Sequence, residues 1–131
     1  MVKRWIVMGV LSVVLVFGCI FESIYVHNSF DWLINSLESL QIELAESKDK
    51  IDTEDFVVKS NQIHDDWHRK VVPLKCLVWH TGIKDVETGL ARISVYIQEN
   101  DYTEAYAEIA TLIDSTAHYL DDFAVSVENI C

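Results

Sequence analysis

The run His64-Asp65-Asp66-Trp67-His68 sets two histidines four positions apart. On a helix this spacing puts both imidazoles on one face, the arrangement by which zinc-dependent hydrolases hold their metal. Asp65 stands where such motifs carry a glutamate, and its side chain is too short to reach a metal-bound water in the same way. A third protein ligand is also required. His64 and His68 are thus the candidate metal ligands, and a metal-dependent hydrolase is the enzymatic reading they would support. The competing reading makes them flanking residues beside a buried Trp67.

A second group is separated in sequence: Trp79 and His80, then His118, Tyr119 and Asp121. These meet only if the chain between them folds as an antiparallel helical hairpin with its turn near residues 100–101. Residue 80 is then level with about residue 121, by counting back equally from the turn. A histidine pair beside carboxylates titrates near neutral pH, so this end is the candidate ligand-, metal- or pH-sensing cluster. The competing reading is a hydrogen-bonded helix end that fixes the Trp79–Ile83 turn. The same hairpin sets Glu87 opposite Asp114 and Arg92 near Glu108, the latter an ordinary surface ion pair. Serine-nucleophile arrangements, glycine-rich phosphate loops, CxxC pairs and EF-hand-like loops are absent from the sequence, and no cofactor is expected.

The elements that would position these groups are helices. Leu33, Leu37, Leu40, Leu44 and Ile51 form one apolar stripe between about His27 and Lys50. Asp52-Thr53-Glu54-Asp55 reads as a turn and helix start, with acidic residues suited to the helix dipole. The next helix carries Phe56, Ile63, Trp67, Val71, Leu74 and Val78, and Pro73 predicts a kink or break near Val71–Leu74. Ile83, Val86, Leu90, Ile93 and Ile97 make the cleanest stripe, with Thr81 as its expected N-cap. Asn100 suits a left-handed helix end, and Asp101 followed by Glu104 resembles a capping box. The last helix sets Ala105, Ile109, Leu112, Thr116 and Leu120 on one face. No stretch alternates with period two for long enough to build a sheet. The expected fold is all-α, an N-terminal transmembrane helix followed by an antiparallel bundle of about four helices.

Ahead of these helices, Lys3 and Arg4 precede seventeen residues without a charge, Trp5 to Phe21. At 1.5 Å per residue the run covers roughly 25 Å, and continuing through Ile24, Tyr25 and Val26 brings it to the ~30 Å of a hydrocarbon core. Nothing near residue 27 compels a break between this helix and the next. The bilayer contact is assigned to residues 5–26, with Trp5 and Tyr25 at the two interfaces. The basic residues leave the short N-terminal side in the cytoplasm. Residues 1–27 form the anchor, and residues 28–131 an acidic extracytoplasmic domain. No alanine precedes Ala45, which argues against ordinary signal cleavage. Val16-Phe17-Gly18-Cys19 partly matches a lipobox, which makes Cys19 a candidate lipidation site; the alternative is a small apolar residue inside a membrane helix. Whether Cys76 and Cys131 pair is open.

The chain has 131 residues, half of them hydrophobic, with one proline and a formal charge of −11. Beyond the anchor, 20 acidic residues face 8 basic ones. That balance excludes a nucleic-acid partner, and it predicts a domain repelled by anionic headgroups and standing off the bilayer. From Trp67 onward, the order of Trp79-His80-Thr81-Gly82-Ile83, Val86-Glu87, Leu90-Ala91-Arg92-Ile93, Tyr96-Ile97, Asn100-Asp101, Ala105 and Ile109 resembles a family of small proteins. These are uncharacterised, single-pass, membrane-anchored helical proteins, largely from spore-forming Gram-positive bacteria. The resemblance covers about Met1 to Ile113. It implies an anchored architecture with no assigned activity, and hints at a multi-pass membrane partner. The expected function is a non-enzymatic, membrane-anchored extracytoplasmic module that binds a membrane or extracytoplasmic protein. The alternative is a ligand, metal or pH sensor at the His80/His118 end. With about four residues on the cytoplasmic side, any signal would pass through a partner.

Overall fold

The computed structural model describes residues 1–74 and 80–130, and the side chains of 1–73 and 82–123 among them. The described residues form four helices: α1 (Val2–Glu46), α2 (Glu54–Leu74), α3 (His80–Gln98) and α4 (Tyr102–Ile130). α1 is a single helix of 45 residues. The membrane-type run therefore passes straight into the first outer helix, as the absence of any breaking residue allows. Its two halves meet different surroundings. Up to Phe21 the large apolar side chains are exposed, whereas Val26, Phe30, Leu33, Leu37, Leu40 and Leu44 are buried at alternating spacings of four and three. The first half is long and apolar enough to cross a membrane.

α1 ends at Ser47, whose N–H bonds the Leu44 carbonyl. Ile51 lies in the following link rather than on the helix, yet it is fully buried. α2 opens where the Thr53 carbonyl accepts the Val57 N–H at 3.1 Å. Glu54 and Asp55 occupy its first turn, and Pro73 falls in its last. α2 runs through the proline as far as Leu74, and the residues that follow it, where the expected break would finish, lie outside the described residues. α3 already includes His80 and Thr81, so Thr81 lies inside the helix and is not its N-cap.

The α3–α4 link has the predicted left-handed end and Asp101 cap, with the Asp101 N–H taken by α3 rather than by Glu104. Asn100 sits at φ 55°. Its N–H bonds the Ile97 carbonyl at 3.1 Å, and the Asp101 N–H bonds the Tyr96 carbonyl at 2.9 Å. This pair of bonds is a Schellman motif, which satisfies the orphan carbonyls of α3. Asp101 Oδ1 then accepts the Glu104 N–H at 3.1 Å and caps α4.

α1 packs on α2 and α4, and α3 packs on the same two helices. The four close a ring in chain order, each antiparallel to the next. The core combines the α1 stripe with Trp67 and Val71 of α2, Ile83, Val86, Leu90, Ile93 and Ile97 of α3, and Ala105, Ile109, Leu112 and Leu120 of α4. Each large aliphatic side chain among them contributes roughly 1.5–3 kcal/mol on burial. Gly89 lets α3 and α4 approach, since a Cβ there would lie 3.0 Å from Leu112 Cδ1.

Candidate functional site

The α3–α4 hairpin brings the second candidate group partly together. Tyr119 of α4 lies over Gly82 of α3, where an added Cβ would be 3.5 Å from its ring. Its hydroxyl donates to Asp85 Oδ2 at 2.9 Å. That hydrogen bond, with desolvation and the nearby negative charge behind it, holds the phenol above its ordinary pKa of 10.0. His118 points elsewhere. It pairs along its own helix with Asp122, Nε2 to Oδ2 3.6 Å, and its side chain is 74% exposed. Asp121 is also exposed. Trp79 and the His80 side chain lie outside the described residues, so the described part of this end is a Tyr119–Asp85 clamp with His118 on the outer surface.

The first candidate group is arranged differently. His64 is half-buried and His68 exposed, on either side of a fully buried Trp67. His68 Nδ1 lies 3.2 Å from Glu87 Oε1 of α3. Among the described residues no three His, Cys, Asp or Glu side chains converge as a metal site would need. The described side chains around His64 and His68 thus supply fewer than the three protein ligands a zinc centre needs. Glu87 is engaged by His68 of α2, so the expected Glu87–Asp114 pairing across the hairpin gives way to a contact with the other neighbouring helix. Arg92 and Glu108 meet as expected, at 3.7 Å.

Several contacts escape the sequence reading. Ser94 Oγ donates to Asn61 Oδ1 at 2.8 Å and accepts from Gln98 Nε2 at 3.3 Å, a polar seam between α2 and α3. Tyr25 donates its hydroxyl to the Lys70 carbonyl at 3.1 Å, tying α1 to α2. The Lys70 ammonium stands 4.9 Å above the Trp32 ring, a cation–π contact. Trp32 also borders an open groove of about 310 Å³ between α1 and α2, together with Ser36, Leu40, Lys59, Ile63 and Asp66. Lys59 and Glu43 pair across that groove. Asn100 Oδ1 accepts the Ile51 N–H at 2.8 Å and ties the α1–α2 link to the α3–α4 link. A turn-forming asparagine is visible in the sequence; its second, distant partner is not. Cys19 sits in unbroken helix, half-buried. Cys76 and Cys131 lie outside the described residues.

A family model described as a domain of unknown function (DUF4363) matches residues 20–130. The match begins after most of the apolar run and reaches past Ile113, so it covers the bundle rather than the exposed apolar run. No curated protein and no solved structure matches the chain.

Proposed function

The chain belongs to the DUF4363 family, and we propose that it is a non-enzymatic binding module held rigidly at a membrane. In this reading α1 crosses the bilayer once, Lys3 and Arg4 stay in the cytoplasm, and the acidic bundle lies outside to engage a membrane or extracytoplasmic protein. The host membrane is that of a spore-forming Gram-positive bacterium, as the sequence resemblance implies. The observation that carries the proposal is the continuity of α1: one helix, exposed and apolar at first, becomes a core strut of the bundle without a linker. A linker would let the domain explore a large volume. A continuous helix instead fixes its height and orientation, which suits recognition of a neighbour in the same membrane.

The test has two arms. Single cysteines at Ser47 and Asp122 should react with an impermeant maleimide on intact cells, and one at Val2 should not. Labelling of Ser47 and Asp122 only after lysis overturns the topology. The full chain crosslinked in cells and purified in mild detergent should carry one protein in fixed stoichiometry, lost when the bundle is disrupted but the anchor kept. A chain recovered only by itself overturns the binding reading.

A further inference from the structure

The side of α1 that faces away from the bundle carries a regular pattern. Ile6, Phe17 and Asn28 each open the same step of four and then three residues, closing at Val13, Ile24 and Asn35, so the spacing repeats every eleven residues. Such a repeat averages about 3.67 residues per turn, and its line runs almost straight along a helix. No position on the line is charged, although residues 28–131 hold 20 acidic side chains against 8 basic ones. Every position is exposed except Trp32, which is half-buried. Asn28, Trp32 and Asn35 occupy the part of the line beside the bundle.

The two flanks of the line differ in charge. At 100° per residue, Asp31 and Glu38 lie about 40° and 60° to one side of Asn35, and Ser39 and Trp32 about 40° and 60° to the other. The Trp32 flank adjoins α2 and is basic. The Lys70 ammonium stands over the Trp32 ring, and Lys59 reaches Glu43 across the groove above it. Among the described residues Lys70 enters no ion pair, and neither does Glu38. Asp31 is met by His27 of its own helix, at 3.4 Å.

A face with one acidic and one basic flank complements itself about a two-fold axis parallel to the helix. The rotation sets the acidic flank of one copy against the basic flank of the other, at both edges of the contact. Copies held in one membrane by the same apolar run are parallel and level, so the heights match as well. Asp31 is one residue, about 1.5 Å, from the height of Trp32 and the Lys70 cation above it. Glu38 lies between Trp32 and Glu43 in height, beside the groove that Lys59 borders. Asn28 and Asn35 then face their own counterparts. An asparagine amide both donates and accepts, so it can pair with itself. A polar residue in an apolar helix seam also fixes register and the number of chains.

We infer that two copies of the chain pack in parallel along this line of α1, with Asp31 and Glu38 of each against Lys70 and Lys59 of the other. The inference rests on the single-pass reading of α1, and it leaves the α4 side of each bundle to the partner proposed above.

Disulfide trapping of the full chain in membrane vesicles tests it, with the native cysteines changed to serine and one new cysteine per variant. Asn35→Cys should form a covalent dimer several-fold faster than Thr88→Cys, an exposed position of α3 that the two-fold keeps on the far sides of the pair. Equal rates at the two positions, no dimer at either, or trapping of Asn35→Cys to a different protein overturns the inference. A chain labelled at Ser47 on intact cells that gives no such dimer overturns the inference alone; one that fails the Ser47 labelling overturns the topology beneath it. The charge pairing is read in the same assay. Lys70→Glu should slow trapping at Asn35→Cys several-fold, and adding Asp31→Lys should restore it. Glu38→Lys and Lys59→Glu, singly and together, should behave alike, which covers a Lys70 variant that fails to fold. Trapping indifferent to both exchanges, or lost in the single variants without recovery in either double one, overturns the two-fold arrangement.

Discussion

Asn100 does two jobs that substitution can separate. Its backbone takes the left-handed conformation that ends α3, at φ 55°. Its side chain accepts the N–H of Ile51, a residue with no exposed surface. Asn100→Gly keeps the first job and abolishes the second. The Ile51 amide is then left without a partner, which costs about 1–3 kcal/mol, offset by a few tenths from glycine's ease at positive φ. The expected net loss is about 1–2 kcal/mol, or roughly 4–16 °C in the melting temperature of a domain near 100 residues. Asn100→Ala loses the acceptor as well, and adds the left-handed penalty of about 1–2 kcal/mol, so it should melt lower still. Full-length chain in detergent micelles, melted by near-ultraviolet circular dichroism, gives the readout. Signal from the exposed N-terminal half of α1 does not intrude, because tertiary packing around Trp67 and Phe30 is what is lost. An Asn100→Gly variant that melts at or above the parent would refute the reasoning, since the tie to Ile51 would then carry no stability.

The other predictions use the same melts. Leu90→Ala, at a site 2% exposed, should cost about 2–5 kcal/mol, and a loss under about 1 would contradict its place in the core. Gly89→Val should cost about 1–3 kcal/mol through overpacking against Leu112; an unchanged melt would show that the helices can part there. Tyr119→Phe should destabilise by about 1 kcal/mol near neutral pH. Because the folded chain keeps the Tyr119 proton more tightly than the unfolded one, the parent's advantage is complete below about pH 10 and lost as pH rises through the folded pKa. A parent–variant gap that stays constant from pH 8 to 11 would contradict the Asp85 hydrogen bond.

Most of the fold is legible in the sequence because apolar spacing sets the buried face of each helix. Ile83, Val86, Leu90, Ile93 and Ile97 all prove buried, as do Ala105, Ile109, Leu112 and Thr116. Asn100-Asp101 reads correctly as well, since turn chemistry is local. What periodicity does not give is the neighbour met by a residue at the edge of a stripe. Each helix in a four-membered ring has two neighbours, and a flanking side chain can turn to either. Glu87 illustrates this: the hairpin sets it level with Asp114, but it lies on the α2 side and meets His68. Trp32 is another case. Its size suggests core, yet it stands half-buried at the α1–α2 groove beneath Lys70. The Asn100–Ile51 bond joins residues 49 apart, and neither residue type signals the other.

The continuity of α1 has a consequence for how any partner can approach. A helix without a break carries its phase from one end to the other at 100° per residue. The bundle-facing line set by Val26, Phe30, Leu33 and Leu37 runs back through Glu22 and Cys19, both of reduced exposure. The opposite line runs through Ile6, Val10, Phe17, Phe21 and Ile24, all exposed. It continues up the bundle through Asn28 and Asn35 to Ile42, which is 63% exposed. One exposed face therefore passes from the apolar N-terminal half of α1 to the far end of the bundle, and none of the described side chains covers it. Burying this face against a neighbour would engage the span and the bundle at once, whereas a partner approaching from the α4 side would meet the bundle first. The phase of the core stripe thus decides which side of the apolar half of α1 is free, and under the proposed single-pass reading the packing of the bundle would set the geometry of recognition inside the membrane.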